Sequence, residues 1–234
     1  MRSVYWALPV RLRGVDPPTD VVRALRRSKV SVRFVQIGAN DGATGDHLSN
    51  TVVRHGWNGI MVEPHPDSFA KLSDYFGDLT QISLANVAIC SDTGVREFYY
   101  LPNNPLVASF SKDHVRKFAA EANEVRSIDV QCETMMRFLQ THGVDSTDLL
   151  AIDTEGYDGE ILRSINFDQF QAEAILFETV HLNDKDKSEC FRLLAENSFQ
   201  LMHGAHDTVA VRIPNRYPRL EALVRAYRLP DQPA

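Results

Sequence analysis

Short apolar runs alternate with amphipathic stretches along most of the chain, and this alternation predicts the architecture. The apolar runs cover residues 32–37, 59–63, 82–89, 148–152 and 174–178, and each is apolar at consecutive positions. Between them, residues 47–55, 66–76, 133–142, 159–164 and 185–197 place apolar side chains at helical spacing. Strands apolar on both faces and separated by helices predict a parallel sheet covered on both sides. Residues 95–101 (VREFYYL) alternate with period two and predict an extra strand. Residues 199–203 and 208–213 flank a turn at Gly204 and predict an antiparallel hairpin at one sheet edge. The expected class is α/β, a mostly parallel sheet with helices on both faces.

The division expected is an N-terminal extension over 1–30, partly helical, a main domain over 31–213, and a helix with a tail over 214–234. Pro17-Pro18-Thr19-Asp20 supplies turn and capping residues for a helix over 21–27. Residues 102–125 have weak periodicity and are too long for a tight connection, so they are expected to form a substrate or lid segment.

The 234-residue length and 44% hydrophobic content suffice for a full core and exclude wholesale disorder. A net charge of −6 argues against nucleic acid as partner, and the basic residues near Arg11–Arg33 read as a solvated helix face. Cys90, Cys132 and Cys190 form no C-x-x-C pair, which suits free thiols in a reducing cytoplasm and gives no zinc pattern. No run approaches 18 apolar residues, so no membrane span is expected. Nothing in the pattern defines an oligomeric state.

In an open parallel sheet, ligands bind beyond the C-terminal strand ends, and the unusual polar residues collect there. Gly38-Ala39-Asn40-Asp41-Gly42 follows the first run, Glu63-Pro64 the second, Asp153-Thr154-Glu155-Gly156 the fourth and Glu178 to His181 the fifth, while Asn86 interrupts the third. Gly38 and Gly42 permit close backbone approach, but Asp41 repels a diphosphate and the G-x-G-x-x-G spacing of an NAD-dependent oxidoreductase is missing. Glu63 stands where a carboxylate accepts both ribose hydroxyls. Ribose without diphosphate, beside a carboxylate-bearing loop, points to S-adenosylmethionine. The plainer readings are that Asp41 caps the following helix and that Glu63 is an ordinary strand-end carboxylate.

The segments FVQIGANDGATGDHL, GIMVEPHPDSFAKL, LANVAICSDTG, LLAIDTEGYDGEIL and ILFETVHL together resemble the FkbM family of S-adenosylmethionine-dependent methyltransferases. Asp158 replaces the final Glu of that family's D-x-E-G-x-E signature, and Gln36 stands where Asp is common. The resemblance implies a Rossmann-like, seven-stranded, mostly parallel sheet with an antiparallel last strand, which agrees with the hairpin, and O-methylation of a hydroxyl on a sugar, polyketide, glycan or similar small-molecule acceptor. Carried over by position, Gly38, Ala39, Asn40, Asp41 and Gly42 would surround the methionine part of the cofactor. Glu63, beside Pro64, would hold the ribose, Asn86, Val87 and Ala88 would flank the adenine, and Asp153 would sit beside the sulfonium.

Methyl transfer to an unactivated alcohol needs alignment and removal of the hydroxyl proton. The candidates at the same sheet edge are Asp153, Glu155, Glu178 and His181, with His181 best suited to titrate near neutrality. Its plainer role is a satisfied histidine at a helix start. Glu155 and Glu178 would orient His181, bind the hydroxyl, or ligate a divalent cation through oxygen. Ser109-Phe110-Ser111 is a candidate for closing over the cofactor or touching substrate, whereas His203, His206 and Asp207 read as a hairpin turn. A methyltransferase-like binding domain without turnover is the non-enzymatic alternative.

Overall fold

A computed structural model describes residues 16–28, 31–44 and 48–227. The expectations for residues 1–15, for His47 at the start of the second predicted element and for the tail after residue 227 lie outside the described residues. Five strands run parallel: β1 (Arg33–Ile37), β2 (Asn58–Val62), β3 (Ile82–Ala85), β8 (Ser146–Ile152) and β9 (Gln171–Glu178). The hairpin β10 (Phe199–His203) and β11 (Asp207–Arg212) completes a seven-stranded sheet of order β10-β11-β9-β8-β1-β2-β3, with β11 antiparallel to both neighbours.

Alternation within the central strands divides the core in two. Phe34, Met61, Leu149 and Leu176 face one side, against α1 (Pro17–Arg27), α2 (Ser49–His55), α3 (Pro66–Phe76) and α8 (Pro218–Tyr227). Val35, Ile60, Leu150 and Ile175 face the other, against α5 (Met135–Thr141), α6 (Asp158–Ser164) and α7 (Asp184–Glu196). Burial on both faces is why these strands read as continuous apolar runs. Helix α1 begins at Asp16, whose carboxylate accepts from the Thr19 N–H at 3.2 Å, and it buries Val21, Val22 and Leu25 beside α8 and β11.

One sequence expectation needs correction. The run 82–89 is not one strand. It breaks at Asn86–Val87 into β3 and β4 (Ala88–Cys90), which belong to different sheets. The Asn86 side-chain amide donates to the carbonyls of Glu63 (2.8 Å) and Pro64 (3.1 Å), which satisfies the end of β2 and turns the chain out of the main sheet. The segment expected to form a substrate or lid element, 102–125, carries secondary structure of its own. It contains β6 (Asn104–Ser109), α4 (Lys112–Arg116) and a short 3-10 turn.

With β5 (Gly94–Leu101) and β7 (Arg126–Thr134), β4 and β6 form a second sheet of order β4-β7-β5-β6. Its small core contains Ala88, Cys90, Phe98, Val130 and Cys132, and this sheet roofs the carboxyl edge of the large one. Cys90 and Cys132 are buried free thiols whose sulfurs lie 2.7 Å apart.

Candidate functional site

Strand order reverses between β1 and β8, whose neighbours β2 and β9 lie on opposite sides. The turns leaving β1 and β8 therefore diverge and leave a crevice, as they do at switch points of open α/β sheets. A cavity of about 310 Å³ opens there. Its floor is the glycine turn and the Asp153–Tyr157 turn. Its roof is Phe98, Pro105, Leu106, Ala108 and Phe110 from the second sheet and its edge.

The glycine turn is built by backbone geometry. Gly38, Asn40 and Gly42 have φ of 81°, 48° and 70°, the left-handed region. A Cβ on Gly38 would collide with the Asp153 carbonyl oxygen, so only glycine lets the β1 and β8 exits lie side by side. At Gly42 a Cβ would strike Leu72 and Phe76 of α3 at 2.6 Å.

Glu63 locks this turn to the next one. Its two carboxylate oxygens accept the N–H groups of Asn40 and His65, both at 2.8 Å, and the residue is only 6% exposed. Burial pushes its pKa up to about 7, against the two N–H bonds that pull it down; Asp41 adds to the rise. Above neutrality it is a buried carboxylate facing the cavity, with lone pairs to offer hydroxyl donors.

Of the residues expected around a cofactor, Gly38, Ala39, Asn40, Glu63, Pro64, Val87, Ala88 and Asp153 line the cavity. Asp41, Gly42 and Asn86 lie outside the lining. Asp41 accepts from the Ala43 and Thr44 N–H groups (3.0 and 2.8 Å) and the Thr44 hydroxyl (2.8 Å). Burial opposes its ionisation, but these bonds prevail and hold its pKa below the ordinary value. Its carboxylate serves its own turn, and Asn86 serves the chain reversal described above.

The β8 exit carries the second set. Glu155 adopts φ 52° and is followed by Gly156 at 96°, a reversal that turns the Glu155 side chain back over the sheet edge. Ser109 of β6 donates to the Glu155 carbonyl at 2.9 Å. Asp158, fully buried, accepts from the Thr154 N–H and hydroxyl (3.2 and 2.7 Å) and the Glu178 N–H (3.0 Å), tying the β8 and β9 exits together. Burial raises its pKa to about 7 against those bonds.

Asp153 and Glu155 reach the cavity, whereas Glu178 and His181 stand behind Glu155. His181 Nε2 lies 3.3 Å from Glu155 Oε2 and 3.7 Å from Glu178 Oε1. Burial lowers the His181 pKa, with Glu155 opposing and His114 reinforcing. Burial, then the charges of Asp153, Glu155, Asp158 and Asp207, raise the pKa of Glu178 to about 9.

Sequence reasoning missed His114. It sits on α4, whose N-cap Ser111 accepts the His114 N–H at 3.1 Å, and its Nε2 lies 3.1 Å from Glu155 Oε2. The two imidazoles meet edge to face with centroids 4.6 Å apart. The usable signals were the Ser111-x-x-His114 cap spacing and the period-two pattern Ile128, Val130, Cys132 of β7. The roof residue Phe110 meets Phe98 edge to face and Tyr157 at a tilt, and Arg96 lies over Phe110 at 5.0 Å while donating to the Tyr157 hydroxyl at 3.1 Å.

The methyltransferase FkbM domain family matches residues 36–207, a span of nearly three quarters of the chain that contains both turns. The chain belongs to this family. Among solved structures, the methyltransferase FkbM from Methylobacillus flagellatus KT is 13% identical with a TM-score of 0.50; the match covers 84% of this chain and 48% of that one. A precorrin-6y C5,15-methyltransferase from Geobacter metallireducens GS-15 is 12% identical with a TM-score of 0.45, covering 88% of this chain and 93% of that one. Comparison with curated proteins gives no match. The fold is the Rossmann-like methyltransferase fold. The family places the chain among methyltransferases and removes the dehydrogenase alternative. Among the described residues no helix is long and apolar enough to cross a membrane.

Proposed function

We propose that this FkbM-family chain uses S-adenosylmethionine to methylate a hydroxyl of a sugar, polyketide, glycan or related small-molecule acceptor, in the cytoplasm. One observation carries the reading. A single cavity joins a glycine turn latched by a buried carboxylate, Glu63, to a second turn that presents Asp153 and Glu155. The donor set fits the cofactor: Gly38 leaves room for close backbone approach, Glu63 offers acceptor lone pairs to vicinal hydroxyls, and Val87 and Ala88 offer an apolar wall. Asp153 brings negative charge to the same cavity, which suits a sulfonium. When bound, the cofactor supplies an electrophilic methyl group on that sulfonium.

The remaining work falls to the chain. The second sheet covers the cavity with Phe98, Leu106 and Phe110 and excludes water from the reacting atoms. Glu155, the cavity-facing member of the cluster with Glu178, His114 and His181, holds the acceptor hydroxyl and receives its proton. His181 acts through Glu155 by orienting its carboxylate at 3.3 Å. Free buried cysteines agree with a reducing compartment.

The test is isothermal titration of the chain with S-adenosylmethionine and S-adenosylhomocysteine, followed by a co-crystal structure with the latter. Binding of both, with the ribose at Glu63 and the sulfur facing Glu155, is expected. Absence of binding to the wild-type chain refutes the cofactor assignment.

A further inference from the structure

Two imidazoles and one carboxylate oxygen converge in the cluster beneath the roof. His114 Nε2 and His181 Nε2 approach the same atom, Glu155 Oε2, at 3.1 and 3.3 Å. Ligand atoms about 2.0–2.2 Å from a shared ion stand about 3.0–3.5 Å from one another in octahedral or tetrahedral arrangements. The two measured separations fall inside that interval, and all three atoms lie within 4.8 Å of one another.

The surroundings favour a cation. Asp153, Glu155 and Glu178 bring three carboxylates within 4.8 Å of one another. Glu178 Oε2 is buried with no hydrogen-bond partner among the described residues, although its Oε1 lies 3.7 Å from His181 Nε2. A buried acceptor without a donor is costly, and a dication in this cluster would compensate it. Phe118, itself 45% exposed, flanks both imidazoles with centroids 5.2 and 6.4 Å away and adds an apolar contact to each.

We infer that His114 Nε2, His181 Nε2 and Glu155 Oε2 form a site for one divalent transition-metal ion, with Glu178 beside it and an open position towards the cavity. Two imidazoles with one carboxylate suit Zn²⁺ or Fe²⁺, Co²⁺ and Ni²⁺ rather than Mg²⁺ or Ca²⁺, which prefer all-oxygen shells. The inference deepens the proposed function and rests on it for one point only, the place of the acceptor hydroxyl: the open position would hold that oxygen. A proton and the ion are alternative occupants of the same Glu155 oxygen.

The experiment uses the untagged full chain, dialysed against chelator and titrated with ZnCl₂ by calorimetry, without acceptor or cofactor. One equivalent of Zn²⁺ per chain is expected. His114→Ala, His181→Ala and Glu155→Gln should each weaken binding at least about a hundredfold, since losing even a supporting outer-shell partner costs 10–100-fold. His142→Ala, outside the cluster, should leave it unchanged. S-adenosylhomocysteine affinity and melting temperature, measured on each variant, report whether the fold survives. Loss of the fold in the variants does not block the test, because Co²⁺ bound to the wild-type chain should give two hyperfine-shifted imidazole N–H resonances in its proton spectrum. No Zn²⁺ binding, binding indifferent to all three substitutions, or a Co²⁺ spectrum without shifted imidazole resonances overturns the site. Zinc binding without S-adenosylhomocysteine binding would instead refute the cofactor assignment and leave the metal site standing.

Discussion

Glu63→Gln tests how one buried carboxylate organises the cofactor half of the site. In the wild type both oxygens accept backbone N–H groups, from Asn40 and His65. An amide keeps one acceptor and turns a donor towards the other N–H, so one buried N–H loses its partner at a cost of about 1–3 kcal/mol in stability. A ribose hydroxyl also loses a charged acceptor worth about 1.5–3 kcal/mol, which is roughly a tenfold to hundredfold weaker Kd. The wild-type profile carries a pH signature as well. Because the folded pKa is raised from 4.5 to about 7, the group's contribution to stability is complete below pH 4.5 and is lost as pH rises to about 7. That interval corresponds to about 3 kcal/mol at ~1.4 kcal/mol per decade. Hydroxyl donors prefer the ionised form, so ligand affinity should move the opposite way, rising with pH and levelling above about 7. Calorimetric titration with S-adenosylhomocysteine from pH 5.5 to 8, wild type minus Glu63→Gln, isolates this group from the titrations of the ligand. Equal affinities in the two proteins, with a flat difference across that range, would refute the reasoning.

Three further substitutions probe separate parts of the molecule. Gly38→Ala puts a Cβ on the Asp153 carbonyl at a positive φ; it should lower stability by more than about 1 kcal/mol and abolish cofactor binding, read by thermal melting and calorimetry. Phe76→Ala empties a fully buried position between α3 and the glycine turn, with a loss of about 3–5 kcal/mol visible in denaturant unfolding. His181→Ala should lower kcat at least about tenfold while changing S-adenosylmethionine affinity less than about threefold; full turnover in that variant would remove His181 from the chemistry.

The parallel strands, the helices between them and the terminal hairpin were legible because each is specified by its own periodicity. A strand buried on both faces has to be apolar at successive positions, as in Phe34-Val35 or Leu149-Leu150. The polar residues at the strand ends were legible for the same reason, since an ordered register delivers them all to one edge. The break at Asn86 was not, because Asn86 is explained by carbonyls 22 and 23 residues away in sequence. Asp41 illustrates the reverse case: its spacing suited a ligand, yet the nearest donors were those of its own turn.

By itself, then, the sequence determined the layered α/β architecture, the strand-end turns and the family, all of which follow from local pattern. Only the tertiary structure decided that β4 leaves the main sheet, that β4 to β7 roof the cavity, and that His114 meets Glu155 and His181 across 41 and 67 residues of chain. No periodicity encodes such a meeting. It arises when the packing of the second sheet onto the first brings α4 over the β8 exit, and the chemistry of the cluster exists only after that packing is complete.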